Sequence, residues 1–98
     1  MTPEEAYKKA IIAGKRLPVL EHIVLNNSWY SYFYARDVIK GRWIEAEDII
    51  MTDSEDSFDY ARDVIKGKLP EKMHNMMLLH AIKDPNDILV QDYFELIE

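Results

Sequence analysis

The chain has 98 residues, a formal net charge of −6, 48% hydrophobic and 31% charged residues, and no cysteine. This length and composition fit one folded domain and exclude disulfide bonds, thiol catalysis and zinc–thiolate sites. The apolar runs are too short to span a membrane. The start, Met1-Thr2-Pro3-Glu4-Glu5, lacks the basic and apolar regions of a signal peptide, so we expect a cytoplasmic protein.

Seven helices are predicted in chain order. Thr2 and Glu5 form a Thr-x-x-Glu capping box with Pro3 at the first helical position, and they open a helix that runs to about residue 13. The second helix begins near Pro18 and ends at the turn residues 26–27. The spacing of apolar residues and caps then predicts helices over about 28–40, 44–51, 54–66, 70–82 and 84–98.

One stretch of eight residues occurs twice. Residues 34–41 and residues 60–67 both read Tyr-Ala-Arg-Asp-Val-Ile-Lys-Gly, 26 positions apart. A weaker third copy aligns around Gly14, and a period of this size is typical of stacked helical repeats. Tyr34, Ala35, Val38 and Ile39 share one helix face, and we expect Gly41 and Gly67 to end their helices in the left-handed conformation.

The repeat resembles one found in proteins of tailed bacteriophages. Residues 34–47 and the second copy at 60–71 are similar to a tandem pattern of the form Tyr-Ala…Val-Ile-Lys-Gly-Arg-Trp-Pro-Glu. The resemblance covers about residues 28–80, with Ile44 where proline is usual and Leu69 where tryptophan is usual. It implies a phage origin and a helical-repeat fold, and it transfers no active site.

The expected architecture is all-α, a short right-handed α-solenoid of about three helix-turn-helix units. The units are about 3–27, 28–53 and 54–83, and residues 84–98 form a C-terminal capping helix. Each unit is too small to bury its own apolar face and therefore leans on its neighbour. The alternative fold is an irregular all-α bundle of the same helices.

No constellation for catalysis or for a cofactor is present. The three histidines, His22, His74 and His80, lack metal-site spacing, and the glycines are isolated rather than grouped in a phosphate loop. Asp37 and Asp63 recur at one repeat position, where we expect them to accept hydrogen bonds from a neighbouring helix start or from an arginine of the next unit. We expect the methionines of residues 73–77 to fill the core.

The positions at which the two copies differ are the candidate binding residues. With an offset of 26, three aromatic residues correspond to three acids: Trp29 to Glu55, Tyr30 to Asp56 and Phe33 to Asp59. Positions that tolerate charge in one unit are not core positions, so we expect the aromatic residues to be at least partly exposed and the acids to tolerate reversal to lysine. The alternative is that the aromatic residues pack on the first two helices.

Charge is unevenly distributed along the chain. Residues 45–63 contain eight Asp or Glu against Arg62 alone, whereas residues 1–43 are net positive. The acidic stretch is either a solvated face or a surface for a basic partner, and the overall charge disfavours direct binding to nucleic acid. We expect a non-catalytic protein that binds and inhibits a host protein. The alternatives are an acidic nucleic-acid mimic and a nucleotide-binding protein, and self-association stays open.

Overall fold

All regular structure in this protein is helical. The computed structural model describes residues 1–98 and has extents of 41 × 21 × 20 Å. The seven α-helices, in chain order, are α1 Pro3–Ala13, α2 Pro18–Val24, α3 Ser28–Tyr34, α4 Glu47–Ile50, α5 Ser54–Tyr60, α6 Glu71–Lys83 and α7 Ile88–Leu96. Two π-helical segments, Ala35–Ile39 and Ala61–Ile65, follow α3 and α5, and a 3₁₀ turn, Ile44–Ala46, precedes α4. The all-α prediction is confirmed.

Side-chain caps fix the helix starts. The predicted capping box is present, because the Glu5 N–H donates to the Thr2 hydroxyl at 3.1 Å and the Thr2 N–H donates to the Glu5 carboxylate at 3.0 Å. Asn27 caps α3 and Asp53 caps α5. Asp87 caps α7, so this helix begins four residues later than the predicted start at residue 84. The predicted start is early because several polar residues in succession suit an N-cap.

The two identical segments end in the same way, and the predicted glycine stops are wrong there. The last turn is π-helical, with the Lys40 N–H donating to the Ala35 carbonyl at 2.8 Å. The residue in the left-handed region is Lys40 (φ 60°) in one copy and Lys66 (φ 61°) in the other. In each copy, the hydrogen bond that closes the π-turn ends at the lysine. The lysine, rather than the glycine after it, therefore takes the left-handed conformation that reverses the chain. Of the three glycines, Gly14 alone has the expected left-handed cap, with φ 68° and ψ 24°.

A buried tyrosine closes three of the turns between helices. Tyr34, Tyr60 and Tyr93 are fully buried, and their hydroxyls accept the N–H of Leu17, Trp43 and Leu69 at 3.0, 2.9 and 3.0 Å. The first two hydroxyls then donate to carboxylates, Tyr34 to Glu21 at 2.6 Å and Tyr60 to Glu47 at 2.8 Å. At the third turn, His74 Nδ1 takes the place of the carboxylate, 2.6 Å from the Tyr93 oxygen.

The hydrophobic core lies between the packed helices. Trp43 is 2% exposed and its ring lies 4.8 Å from that of Tyr34. Met73 and Met77 are buried, as predicted. One apolar face stays uncovered, however, because Leu78, Leu79 and Ile82 on α6 are 41%, 61% and 77% exposed.

Candidate protein-binding surface

Two hydrogen bonds set the position of α5 beside α3. The Ser28 hydroxyl donates to Asp56 at 2.6 Å near the N-termini of the helices. At the other end, the Tyr32 hydroxyl donates to Asp63. The two bonds are four residues apart on α3 and seven residues apart along α5 and the π-helical segment that follows it, and they hold the two helical segments side by side.

The aromatic patch consists of Trp29, Tyr30 and Phe33 on α3. Trp29 is 45% exposed, and its ring meets the Phe33 ring edge-on at 5.0 Å. Tyr30 and Phe33 are half-buried because each ring lies 5.8 Å from that of Tyr7 on α1. The expectation of partial exposure is confirmed, and the packing on α1 that was its alternative is present for two of the three rings.

Arg36 covers one side of the aromatic patch. Its guanidinium lies 4.6 Å from the Phe33 ring centroid and 5.3 Å from that of Tyr32, within cation–π range. The same guanidinium donates to both oxygens of Asp37, at 2.7 and 2.9 Å. Because Arg36 is held from two sides, it presents a fixed positive charge next to Phe33.

The three acids of α5 lie in different environments. Glu55 is exposed, and Asp59 is half-buried and forms an ion pair with Arg62 at 3.2 Å. Asp56 is 3% exposed, so the expectation that this acid lies on the surface is wrong. Its side chain turns toward α3 to accept the Ser28 hydroxyl, a partner that the repeat comparison does not reveal.

The carboxylates of α5 lie close enough to repel one another, although Arg62 offsets part of this at Asp59. Burial raises the pKa of Asp59, and the neighbouring carboxylates Asp63 and Glu55 raise it further. Burial also raises the pKa of Asp56, with additional contributions from Asp53, Asp59 and Glu55. A cation placed beside these carboxylates would relieve their mutual repulsion.

Arg36 connects the aromatic patch with the acids. It covers Phe33, and its positive charge also acts on Asp59, lowering that residue's pKa against the effect of burial. Glu55 lies one helical turn before Asp59 on α5. The structure therefore links Phe33 on α3 with Asp59 on α5 through Arg36, and Asp56 reaches α3 through Ser28.

Asp37 and Asp63 have structural partners. Each accepts two hydrogen bonds from the arginine that precedes it, Arg36 or Arg62, rather than from an arginine of the next unit. Each also accepts a tyrosine hydroxyl from a helix earlier in the chain, Asp37 from Tyr7 of α1 at 2.6 Å and Asp63 from Tyr32 of α3. The Arg62 hydrogen bonds lower the pKa of Asp63 to about 2. Sequence analysis missed the tyrosines because Tyr7 and Tyr32 occupy different repeat positions.

The histidines are engaged in pairs. His74 contacts Tyr93, and His80 Nε2 lies 2.8 Å from the Asp87 carboxylate. No group of three or more His, Cys, Asp or Glu side chains is placed to hold a metal ion. None of the helices is both long enough and apolar enough to cross a membrane.

Comparison with known proteins adds no family: no protein-family model, curated protein or solved structure matches the chain.

Proposed function

We propose that this protein is a non-catalytic binding module that recognises another protein through the surface formed by α3 and α5. The resemblance of its repeat to that of tailed-bacteriophage proteins supports a phage origin. The partner would then be a protein of the host, and binding would inhibit it. The observation that carries the proposal is the exposed Trp29, held against Phe33 at 5.0 Å.

A fixed, exposed tryptophan is well suited to anchor a partner. It offers a large apolar area, and because its ring is already packed against Phe33, little conformational freedom is lost on binding. Tryptophan is enriched among the residues that dominate binding energy at protein interfaces. Single exposed apolar residues are common, but here the ring lies beside a second aromatic ring and an arginine.

The charges beside the anchor favour a basic partner. Glu55 forms no ion pair, and Asp59 shares Arg62 with Asp63. An arginine from the partner could stack on Trp29 and reach these carboxylates at the same time. A nucleic-acid mimic acting on a DNA- or RNA-binding enzyme is the second candidate, and the same carboxylates favour it.

The test is capture of the partner from a host lysate, followed by measurement of its affinity for substituted proteins. Trp29→Ala should weaken binding by roughly 2 kcal/mol or more, with a small effect on folding because the ring is half exposed. Leu79→Ala, which removes an exposed apolar side chain outside this surface, is the matched control and should bind normally. Equal binding by both variants would exclude Trp29 as the anchor.

Competition separates the two candidates. If the protein mimics nucleic acid, a DNA or RNA ligand of the partner should displace it, and binding should weaken steeply with salt. If it binds elsewhere on a basic protein, the nucleic acid and this protein should bind together.

We also propose that the helices stack as a short right-handed α-solenoid of about three units. The support comes from contacts that recur at a constant offset. The Ser31 hydroxyl donates to the Val24 carbonyl, and 26 residues later Ser57 donates to Ile50. The Arg16–Glu21 pair recurs in the same way as Arg42–Glu47.

A further inference from the structure

The turns that end the first helix of each unit carry a row of lysines. Lys15 follows the end of α1, and Lys40 and Lys66 end the two π-helical segments. All three side chains are exposed. Lys40 and Lys66 occupy corresponding places in the two identical segments, and Lys15 lies one residue after the aligned glycine of the first copy; we call the three residues the lysine row.

The lysine row is free of internal partners. All four arginines of the chain, Arg16, Arg36, Arg42 and Arg62, form ion pairs with carboxylates. Lys15, Lys40 and Lys66 form neither an ion pair nor a side-chain hydrogen bond. The guanidinium groups are therefore all paired within the fold, whereas these three ammonium groups can contact a ligand.

Two clefts join the three lysines. A cleft of about 370 Å³ lies between Lys15 and Lys40, with Asp37 in its wall. A second cleft of about 220 Å³ lies between Lys40 and Lys66, with Asp63 in its wall. Lys40 lines both clefts, so the row is continuous. Arg36 pairs with Asp37 and also lines the second cleft, where Asp63 pairs with Arg62, so each aspartate has an arginine beside it.

Two of these lysines have a backbone conformation that costs stability. Lys40 and Lys66 have φ near 60°, a region that is costly for residues with a side chain, although a glycine follows each of them directly. In the first copy, the glycine itself takes this conformation and Lys15 comes next. Cations do favour helix C-termini, but a lysine one position earlier would serve that purpose without the strain.

We propose that the lysine row binds the phosphate groups of a single-stranded nucleic acid. Lysine acts as a point charge that suits phosphates, whereas carboxylates are best recognised by arginine forks, and here every arginine is occupied. The lysines form a single file, one per helix, which fits one backbone rather than the two of a duplex. This ligand is separate from the protein partner proposed above, and it differs from the expectation that was based on total charge.

The net negative charge does not prevent this binding. Glu55 and Asp56, which form no ion pair, lie eleven and ten residues before Lys66 along α5 and the π-helical segment. At 1.5 Å per residue, this separation is about 15–16 Å. The Debye length at physiological ionic strength is about 8 Å, so both acids are largely screened from a ligand at the lysine row, and the nearer Asp59 and Asp63 are paired with Arg62.

The test measures the fluorescence anisotropy of a labelled 20-nucleotide oligo(dT) as this protein is added at several salt concentrations. Three phosphate contacts predict a slope of about −2 in a plot of log affinity against log salt, so a fourfold rise in salt should weaken binding about 18-fold. The triple variant K15Q/K40Q/K66Q should lose binding. The control K9Q/K72Q/K83Q makes the same change in net charge elsewhere and should keep most of it.

Several results would overturn the proposal: no binding of oligo(dT) by the unsubstituted protein at low salt, equal losses in the two triple variants, or equally tight binding of poly-glutamate or of a 20-base-pair duplex. A second variant guards against an effect on folding. K40G/K66G removes two lysines and relieves the left-handed backbone, so it should melt at a higher temperature and yet bind oligo(dT) more weakly. Unchanged binding by that more stable protein would also reject the lysine row as the site.

Discussion

At the scale of single residues, Glu55 and Asp56 are neighbours in the chain with opposite environments. The Glu55 side chain is exposed, whereas that of Asp56 is buried and accepts the Ser28 hydroxyl at 2.6 Å. Glu55→Lys should therefore change the free energy of unfolding by less than about 0.5 kcal/mol. Asp56→Lys would bury a charge without a partner and should cost roughly 3–5 kcal/mol.

Urea denaturation of the two single variants at neutral pH measures this difference. Asp59→Lys serves as an intermediate case, because its side chain is half-buried and paired with Arg62. If Asp56→Lys proved as stable as Glu55→Lys, the contact between Ser28 and Asp56 would not be what positions α5 on α3.

The exposure of Trp29 could be predicted from sequence, but the burial of Asp56 could not. Comparing the repeat copies tests whether a position tolerates both aromatic and acidic residues, and at 29 and 55 this gives the right answer. At 30 and 56 both side chains are at least partly buried, one against Tyr7 and the other against Ser28. These two side chains contact residues of different helices. Comparing the two copies of the repeat within one chain cannot reveal such contacts.

At the scale of helices, the glycines at the helix ends are not equivalent. Gly14 has φ 68°, so Gly14→Ala should cost about 1 kcal/mol from forcing a side chain into the left-handed region. Gly41 does not have a positive φ, and an added Cβ would meet no atom within 4 Å. Gly41→Ala should be neutral or stabilise the protein by about 0.4–1 kcal/mol, because it restricts the unfolded chain.

Thermal denaturation of the two alanine variants compares these glycines directly. If Gly41→Ala were instead the less stable variant, the left-handed residue would be Gly41, and Lys40 would not be strained.

The number and type of helices could be predicted because caps and apolar spacing are local properties. The π-helical ends could not, since the apolar positions 34, 35, 38 and 39 fit an α-helix as well as its wider variant. Likewise, the stretch after Trp43 begins as a 3₁₀ turn, with Ile44 at the position where a proline would favour the first α-helical turn.

At the scale of the whole molecule, the third tyrosine contact departs from the spacing of the first two. Tyr34 and Tyr60 each lie 17 residues after the N–H they accept, whereas Tyr93 lies 24 residues after that of Leu69. The extra length is in α6, which has 13 residues. An offset of 26 residues from Tyr60 would place the third contact at Asn86 instead, so the sequence predicts the all-α class of fold but not how its C-terminal helices close.

The proposed stacking of units predicts that one whole unit is dispensable for folding. Deleting residues 41–66 joins Lys40 to Gly67 and creates no new sequence at the junction, because the two eight-residue segments are identical. The deletion removes Trp43, Glu47 and Tyr60 together, and these residues hydrogen-bond to one another, so no partner is left behind. In a solenoid each unit contacts only its neighbours, so the shortened chain should fold cooperatively with reduced stability.

Small-angle scattering and circular dichroism measure the outcome. The long dimension, 41 Å in the full chain, should shrink by about 10 Å, the spacing of packed helices. Deleting residues 41–53 is the control, because it removes half a unit and leaves Tyr60 without the Trp43 N–H and the Glu47 carboxylate. If both shortened chains lost cooperative unfolding, the helices would form one indivisible bundle. Folding of the 41–66 deletion alone would instead mean that the 26-residue period is a physical unit of the structure.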